Sequence, residues 1–153
     1  MFSNIIVALS NVLSFYPIYI SYFKRDYITT SLLSFVSTTS FISHLIENHK
    51  HGMPGIGFSK KMSYIMNRFD VLGCIMVSAR LLYLYNSKYN FSLKIIKNNK
   101  FKFLLMASPF ILGRISEYDK YNTALKTRYI ITHSLWHLSI FVSLGKFLNN
   151  FIY

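Results

Sequence analysis

The stretch ITHSLWHLSIF, residues 130 to 140, sets His133 and His137 four apart in a run almost free of charge. Residues at i and i+4 leave one face of a helix, so both imidazoles would project from a single rigid element. Neutral imidazole is a common Zn²⁺ ligand, and catalytic zinc sites typically use three protein ligands and keep a fourth position for water. A third ligand must come from elsewhere. His44 in SFISH is available, with Ser40 one turn away on the same face, and Asp70 would bring a carboxylate from the next helix. Such a set implies metal-assisted hydrolysis. Zinc lowers the pKa of bound water to about 7, Asp70 accepts the proton, and Ser40 orients the water or an oxyanion. A second reading of Ser40 stands beside this one, in which its hydroxyl bonds back to the carbonyl one turn earlier.

The elements that must carry these residues are strongly apolar. Of 153 residues, 52% are hydrophobic, 18% aromatic and only 14% charged, with a mean hydropathy of +0.33, far from a soluble globular average. This composition implies a multi-pass integral membrane protein, each span needing about 20 apolar residues. Seventeen Lys and Arg face five Asp and Glu, a net charge of +12. In a soluble chain that balance would suggest nucleic acid. Here nearly all the basic residues fall between the apolar runs, where they would anchor to anionic lipid headgroups, and no nucleic-acid partner is expected. A lone Cys74 excludes an intrachain disulfide framework.

Cutting the apolar runs at the basic clusters leaves five segments: residues 2 to 23, 28 to 48, about 62 to 85, 101 to 116 and 127 to 148. The first lacks the basic start and small-residue cleavage site of a secretory signal and is expected to be retained as a helix, with a kink at Pro17. The second is rich in Ser and Thr. HKHGMPGIGFSKK is a loop punctuated by Gly and Pro, in which His49 and His51 are expected to be solvated. KYNFSLKIIKNNKFK is expected to form an interfacial amphipathic turn. The fold class is therefore all-α: a polytopic transmembrane helical bundle of about five helices, forming one domain over residues 1 to 153. Glu47 either orients the His44 ring or sits at the interface. Arg80 either snorkels or has a partner the sequence does not reveal. Glu117 and Asp119 are expected in a solvated turn, and Trp136 against lipid or a neighbouring helix.

Alternating crossings put the end of the second segment, the start of the third, the end of the fourth and the start of the fifth on one side of the membrane. At about 1.5 Å per residue, His44 lies roughly 9 Å inward of Lys50, and His133 and His137 roughly 8 and 14 Å inward of Arg128. Asp70 reaches a comparable depth if its helix begins near Met62. Three imidazoles and a carboxylate from three helices thus share one half of the bilayer, where ionisable groups are costly and functional by default. The Lys and Arg count nearly ties between the two sides and does not orient the chain.

Ser-x-x-x-His on the second helix, Asp on the third and His-x-x-x-His on the last resemble the signature of the CREST superfamily, which contains alkaline ceramidases, progestin and adipoQ receptors, GPI-anchor lipid-remodelling proteins and myomaker-like proteins. The matching residues are Ser40, His44, Asp70, His133 and His137. LSNVLSFYPIYISYFKRDYITTSLLSFVSTTSFISHLIEN and HSLWHLSIF resemble the first two helices and the last helix of the myomaker-like branch. The resemblance spans approximately residues 9 to 80 and 127 to 148. It implies zinc on His44, His133 and His137, with Ser40 and Asp70 beside the metal-bound water. Two departures stand out: the superfamily usually has seven helices against five here, and the linker from His44 to Asp70 is longer.

The leading expectation is an intramembrane zinc-dependent hydrolase, ceramidase-like or phospholipase-like, acting on an amide or ester bond of a membrane lipid. The alternative is a non-enzymatic, zinc-braced membrane receptor or a membrane-remodelling or fusion factor. A third reading, a small channel or transporter using the Ser/Thr-lined second helix, ranks last because its polar residues occupy one half of the bilayer.

Overall fold

The computed structural model describes residues 2–47, 55–57, 59–120 and 122–153. His49, His51, Lys50 and the first part of GMPGIG lie outside these residues. The described chain is all-helical: α1 Phe2–Leu9, a 3-10 turn Ser10–Ser14, α2 Phe15–Phe23, α3 Tyr27–Ile46, α4 Lys60–Tyr89, α5 Leu93–Asn98, α6 Lys100–Ala107, α7 Pro109–Lys120, a 3-10 turn Thr123–Leu125, and α8 Lys126–Phe147, which runs into a π turn Leu148–Ile152. The tightened turn between α1 and α2 sits just ahead of Pro17, which has no N–H to offer and whose ring crowds the carbonyl of Leu13. α7 continues one turn past the expected end of the fourth segment, and α5 with the start of α6 occupies the expected amphipathic turn.

Polar side chains set the boundaries. Asp26 caps α3 by accepting from the Thr29 N–H at 3.0 Å, and Ser59 caps α4 by accepting from the Met62 N–H at 3.2 Å, each satisfying a backbone donor that a helix start leaves free. Asn90 ends α4 in the left-handed region at φ 47°, which its short polar side chain tolerates better than most.

The helices alternate in direction. Asn4 Nδ2 donates to the carbonyls of His44 and Glu47 at 3.1 and 2.7 Å, tying the start of α1 to the end of α3. Lys120 reaches Glu47 at 3.4 Å, bringing the end of α7 to the same place. At the opposite end, Lys88 Nζ donates to the Ile152 carbonyl at 2.7 Å. α3 packs along α4, while α8 packs against α1, α2, α6 and α7.

The α3–α4 contact depends on Gly73. A Cβ there would lie 3.0 Å from both Cβ and Cγ2 of Val36, so the two backbones approach where no side chain intervenes. Gly73 sits one turn from Asp70, and Val36 one turn from Ser40, so this contact sets the distance between those two. We expect Gly73→Leu to destabilise the protein by about 1–3 kcal/mol through overpacking, read as a lower midpoint in thermal unfolding.

Arg80 finds its partners at the far end of the bundle. Its guanidinium donates to Asp26 Oδ1 at 3.0 Å and to Thr29 Oγ1 at 3.1 Å, and the Tyr153 hydroxyl donates to Asp26 Oδ2 at 3.0 Å. Burial alone would raise the Asp26 pKa, but hydrogen bonds from Thr29, Tyr153 and Arg80 hold it below the ordinary 3.8. A carboxyl depressed on folding contributes stability that is present above its unfolded pKa and lost as pH falls through the folded value. Wild type should therefore lose melting temperature as pH drops below 3.8, and Asp26→Asn should lose less across the same range. At neutral pH Asp26→Ala should cost about 1–2 kcal/mol through the lost cap.

Burial is distributed in an unusual way. Among the described residues, Asn4, Ser10, Asn11, Ser14, Ser21 and Thr29 are buried, while Phe15, Leu93, Phe101, Leu104, Phe110 and Ile111 are exposed. One helix among the described residues, Ser3–Phe23, is long and apolar enough to cross a membrane. Ser and Thr dilute α3, and Asn67, Arg68, Asp70 and Arg80 interrupt α4.

Candidate metal centre

His44 comes from α3, and His133 and His137 from one face of α8; all three are buried. Nε2 of His133 stands 3.2 Å from Nε2 of His44, and one ring nitrogen from each of the three residues lies within 4.8 Å of the others. Nitrogens about 2.0–2.1 Å from one tetrahedral ion stand about 3.3 Å apart, so the closest pair already has that spacing.

The outward nitrogens are each engaged. Nδ1 of His44 is 3.1 Å from Glu47 Oε2, Nδ1 of His133 is 2.5 Å from Ser116 Oγ, and Nδ1 of His137 is 2.8 Å from Ser10 Oγ. The Ser10 hydroxyl donates to the Val7 carbonyl at 2.6 Å, so toward His137 it accepts. An ionised Glu47 accepts from His44 likewise. Both rings are thereby held with Nδ1–H outward and the Nε2 lone pair inward. Ser116 can donate or accept, which lets His133 present Nε2–H to His44 or turn its own lone pair inward. Converging imidazole lone pairs in a buried pocket repel unless a cation lies among them, and their hydrogen-bonded Nδ1 atoms are the outer support that metal-bound histidines usually have.

Asp70 and Ser40 lie beside this cluster. A cavity of about 510 Å³ is lined by His44, His133, Asp70, Cys74, Lys120 and Trp136 among others. Asp70 lies on its wall, with His44 and Ser40 among its polar neighbours, and is not one of the clustered ligands. Ser40 is itself buried. The structure therefore gathers the three imidazoles into one set and places the carboxylate and hydroxyl at its side.

Trp136 does more than cover a helix face. Its ring lies 5.0 Å from both His133 and His137, and a Cβ at Gly113 of α7 would come within 2.9 Å of its Nε1. Gly113 thus makes room for an indole that wedges against the two histidines, and its buried N–H has no hydrogen-bond partner among the described residues.

One expectation is corrected. Asp119 is not solvated: it is fully buried and forms a bidentate pair with Arg128 at 2.8 and 2.5 Å, closing α7 onto α8 behind His133. A charge there needs its guanidinium to offset lost hydration. Glu117 remains about half exposed, 4.0 Å from Lys120. Of the two readings of Glu47, the structure has it against the His44 ring.

Ser10 and Ser116 are contributors that spacing does not announce. Ser10 belongs to a polar stripe with Asn4, Asn11 and Ser14 along an otherwise apolar helix, which is the signal that marks a buried polar face. Outer-shell partners are typically worth 10–100-fold in metal affinity, so if the three imidazoles hold zinc, Ser10→Ala should weaken its binding by about that factor in a competition titration with a chromogenic chelator.

No protein-family model matches this chain, and no solved structure matches it. A protein of Acanthamoeba polyphaga mimivirus, described as uncharacterized protein L282, is 58% identical over 150 residues, which cover 98% of this chain and 99% of that protein.

Proposed function

The chain belongs to the family of the mimivirus protein L282, and from its site we propose that it is an intramembrane zinc-dependent hydrolase acting on an amide or ester bond of a membrane lipid. The observation that carries this reading is the convergence of His44, His133 and His137, each with Nδ1 within hydrogen-bond distance of a side-chain oxygen, beside a cavity that Asp70 also lines. The CREST-like order of Ser40, His44, Asp70, His133 and His137 across three helices is consistent with it.

The multi-pass membrane setting is part of the proposal. Its support is the surface: Phe15, Leu93, Phe101, Leu104, Phe110 and Ile111 are exposed, while buried Asn, Ser and His share the interior with an apolar cluster around Leu33, Val36 and Val77, and such an apolar exterior is costly in water and suited to lipid. The basic α5 and α6, with Lys94, Lys97, Lys100 and Lys102 beside exposed Leu93 and Phe101, suit the level of anionic headgroups.

When bound, zinc supplies Lewis acidity toward the scissile carbonyl and toward water. The chain does the rest. His44, His133 and His137 would hold the ion, and Glu47, Ser116 and Ser10 fix the ring orientations. Asp70 accepts a proton from the attacking water as its oxygen bonds to the carbonyl carbon. That proton then passes to the departing amine or alkoxide as the C–N or C–O bond breaks. Ser40 steadies the Asp70 carboxylate, and the Trp136 ring forms part of the cavity wall.

The test is turnover of ceramides and glycerophospholipids in proteoliposomes, followed by mass spectrometry. A zinc chelator should abolish it and added zinc should restore it; turnover indifferent to chelation would sink the zinc dependence, and no turnover of either lipid class would sink the hydrolase reading. One observation favours the second reading, a zinc-braced non-enzymatic receptor or remodelling factor. The imidazoles are buried and tie α3 to α8, a placement that would brace the bundle whether or not Asp70 acts.

A further inference from the structure

We propose that the groove between α2, α6–α7 and α8, on the side of α8 turned away from the histidines, is a binding site for one anionic phospholipid. The site rests on the membrane reading above but not on hydrolysis. The groove encloses about 750 Å³, and its length is lined by Leu13, Leu105, Leu112, Leu135, Leu138 and Val142. Its mouth carries Lys102, Lys146, Asn149 and Asn150.

Charge identifies the occupant. The chain has five acidic residues, and none lines this groove. Asp26 is held by Arg80, Glu47 and Glu117 face Lys120, Asp119 holds Arg128, and Asp70 lies on the histidine cavity. Two ammonium groups therefore meet at an apolar groove with no protein carboxylate among its walls, and the complementary charge must arrive with the ligand. A phosphodiester meets that need: lysines give charge-assisted hydrogen bonds to its oxygens, and the asparagine amides can add neutral ones.

Length agrees. From Lys146 to Leu135 is eleven residues of α8, about 16 Å at 1.5 Å per residue, against about 15 Å for half of a 30 Å hydrocarbon core. With the lysines at the headgroups, the groove ends near the bilayer midplane, one acyl chain deep. Leu135, Leu138 and Val142 lie about 140–200° around α8 from His133, so a lipid seated here does not reach the ring nitrogens.

The experiment is native mass spectrometry of the full chain extracted from vesicles containing equal phosphatidylglycerol and phosphatidylcholine. Wild type should carry one phosphatidylglycerol, retained at least tenfold over phosphatidylcholine. K102Q/K146Q should lose that preference, whereas K60Q/K61Q, equally reduced in charge but at the start of α4 and outside the groove, should keep it. Leu138→Trp, which fills the groove and leaves both lysines, should lose the lipid. Equal retention of the two lipids by wild type, or loss of preference in K60Q/K61Q to the same extent as in K102Q/K146Q, would overturn the site. A chain released from membranes by carbonate washing overturns the membrane reading itself; a chain that stays in membranes without lipid preference overturns the groove alone.

Discussion

Replacing Asp70 by Asn should reduce lipid turnover by about 10²–10⁴-fold, the usual worth of a positioned general base, while zinc content stays at the wild-type level. Asn keeps the size and hydrogen-bonding capacity of Asp but cannot take a proton. Asp70 lies on the wall of the cavity and outside the clustered imidazoles, so in the proposed hydrolase its charge would serve the reaction rather than the ligand set. The measurement pairs turnover in proteoliposomes with elemental analysis of the same preparation. If Asp70→Asn retained both zinc and full function in whatever assay the wild type satisfies, zinc would be a brace and the hydrolase reading would fail.

Removing an imidazole should act differently. His133→Ala takes away the ring that stands 3.2 Å from His44 and leaves two protein ligands, one fewer than catalytic zinc sites typically use. Bound zinc should fall to below about a tenth of wild type. Stability should fall with it, because a ligand at a thousandfold excess over its Kd contributes about 4 kcal/mol to the folded state. The check is a melting curve with and without added zinc. Wild type should respond to the metal, and His133→Ala should not. A variant that melts like wild type and still responds would place the metal elsewhere.

The helical elements were legible because each apolar run ends at basic residues or at Gly and Pro. α1 with α2, α3, α4, α6 with α7, and α8 fall on the five segments read from the sequence. The i, i+4 spacing of His133 and His137 put both on one face without any structure. Parity, applied to helices of known order, brought His44 and Asp70 to their level. What the sequence does not carry is which residues meet across long separations. Ser10 and His137 are 127 positions apart, and Arg80 and Asp26 are 54 apart. Neither contact has a periodic signature, since each depends on the rotation of one helix about its axis relative to another. Asp119 misled for a related reason. A charged residue at the end of an apolar run is usually solvated, and only the return of Arg128 on α8 makes its burial tolerable.

The central claim is that the three buried imidazoles hold one zinc ion, and zinc K-edge X-ray absorption on protein extracted from membranes and freed of loosely bound metal tests it most directly. We predict about one zinc per chain with three imidazole nitrogens at about 2.0–2.1 Å, and loss of that signal when His44, His133 and His137 are all replaced by Ala. Zinc absent from wild type, or present in equal amount and in the same coordination in the triple variant, would contradict it.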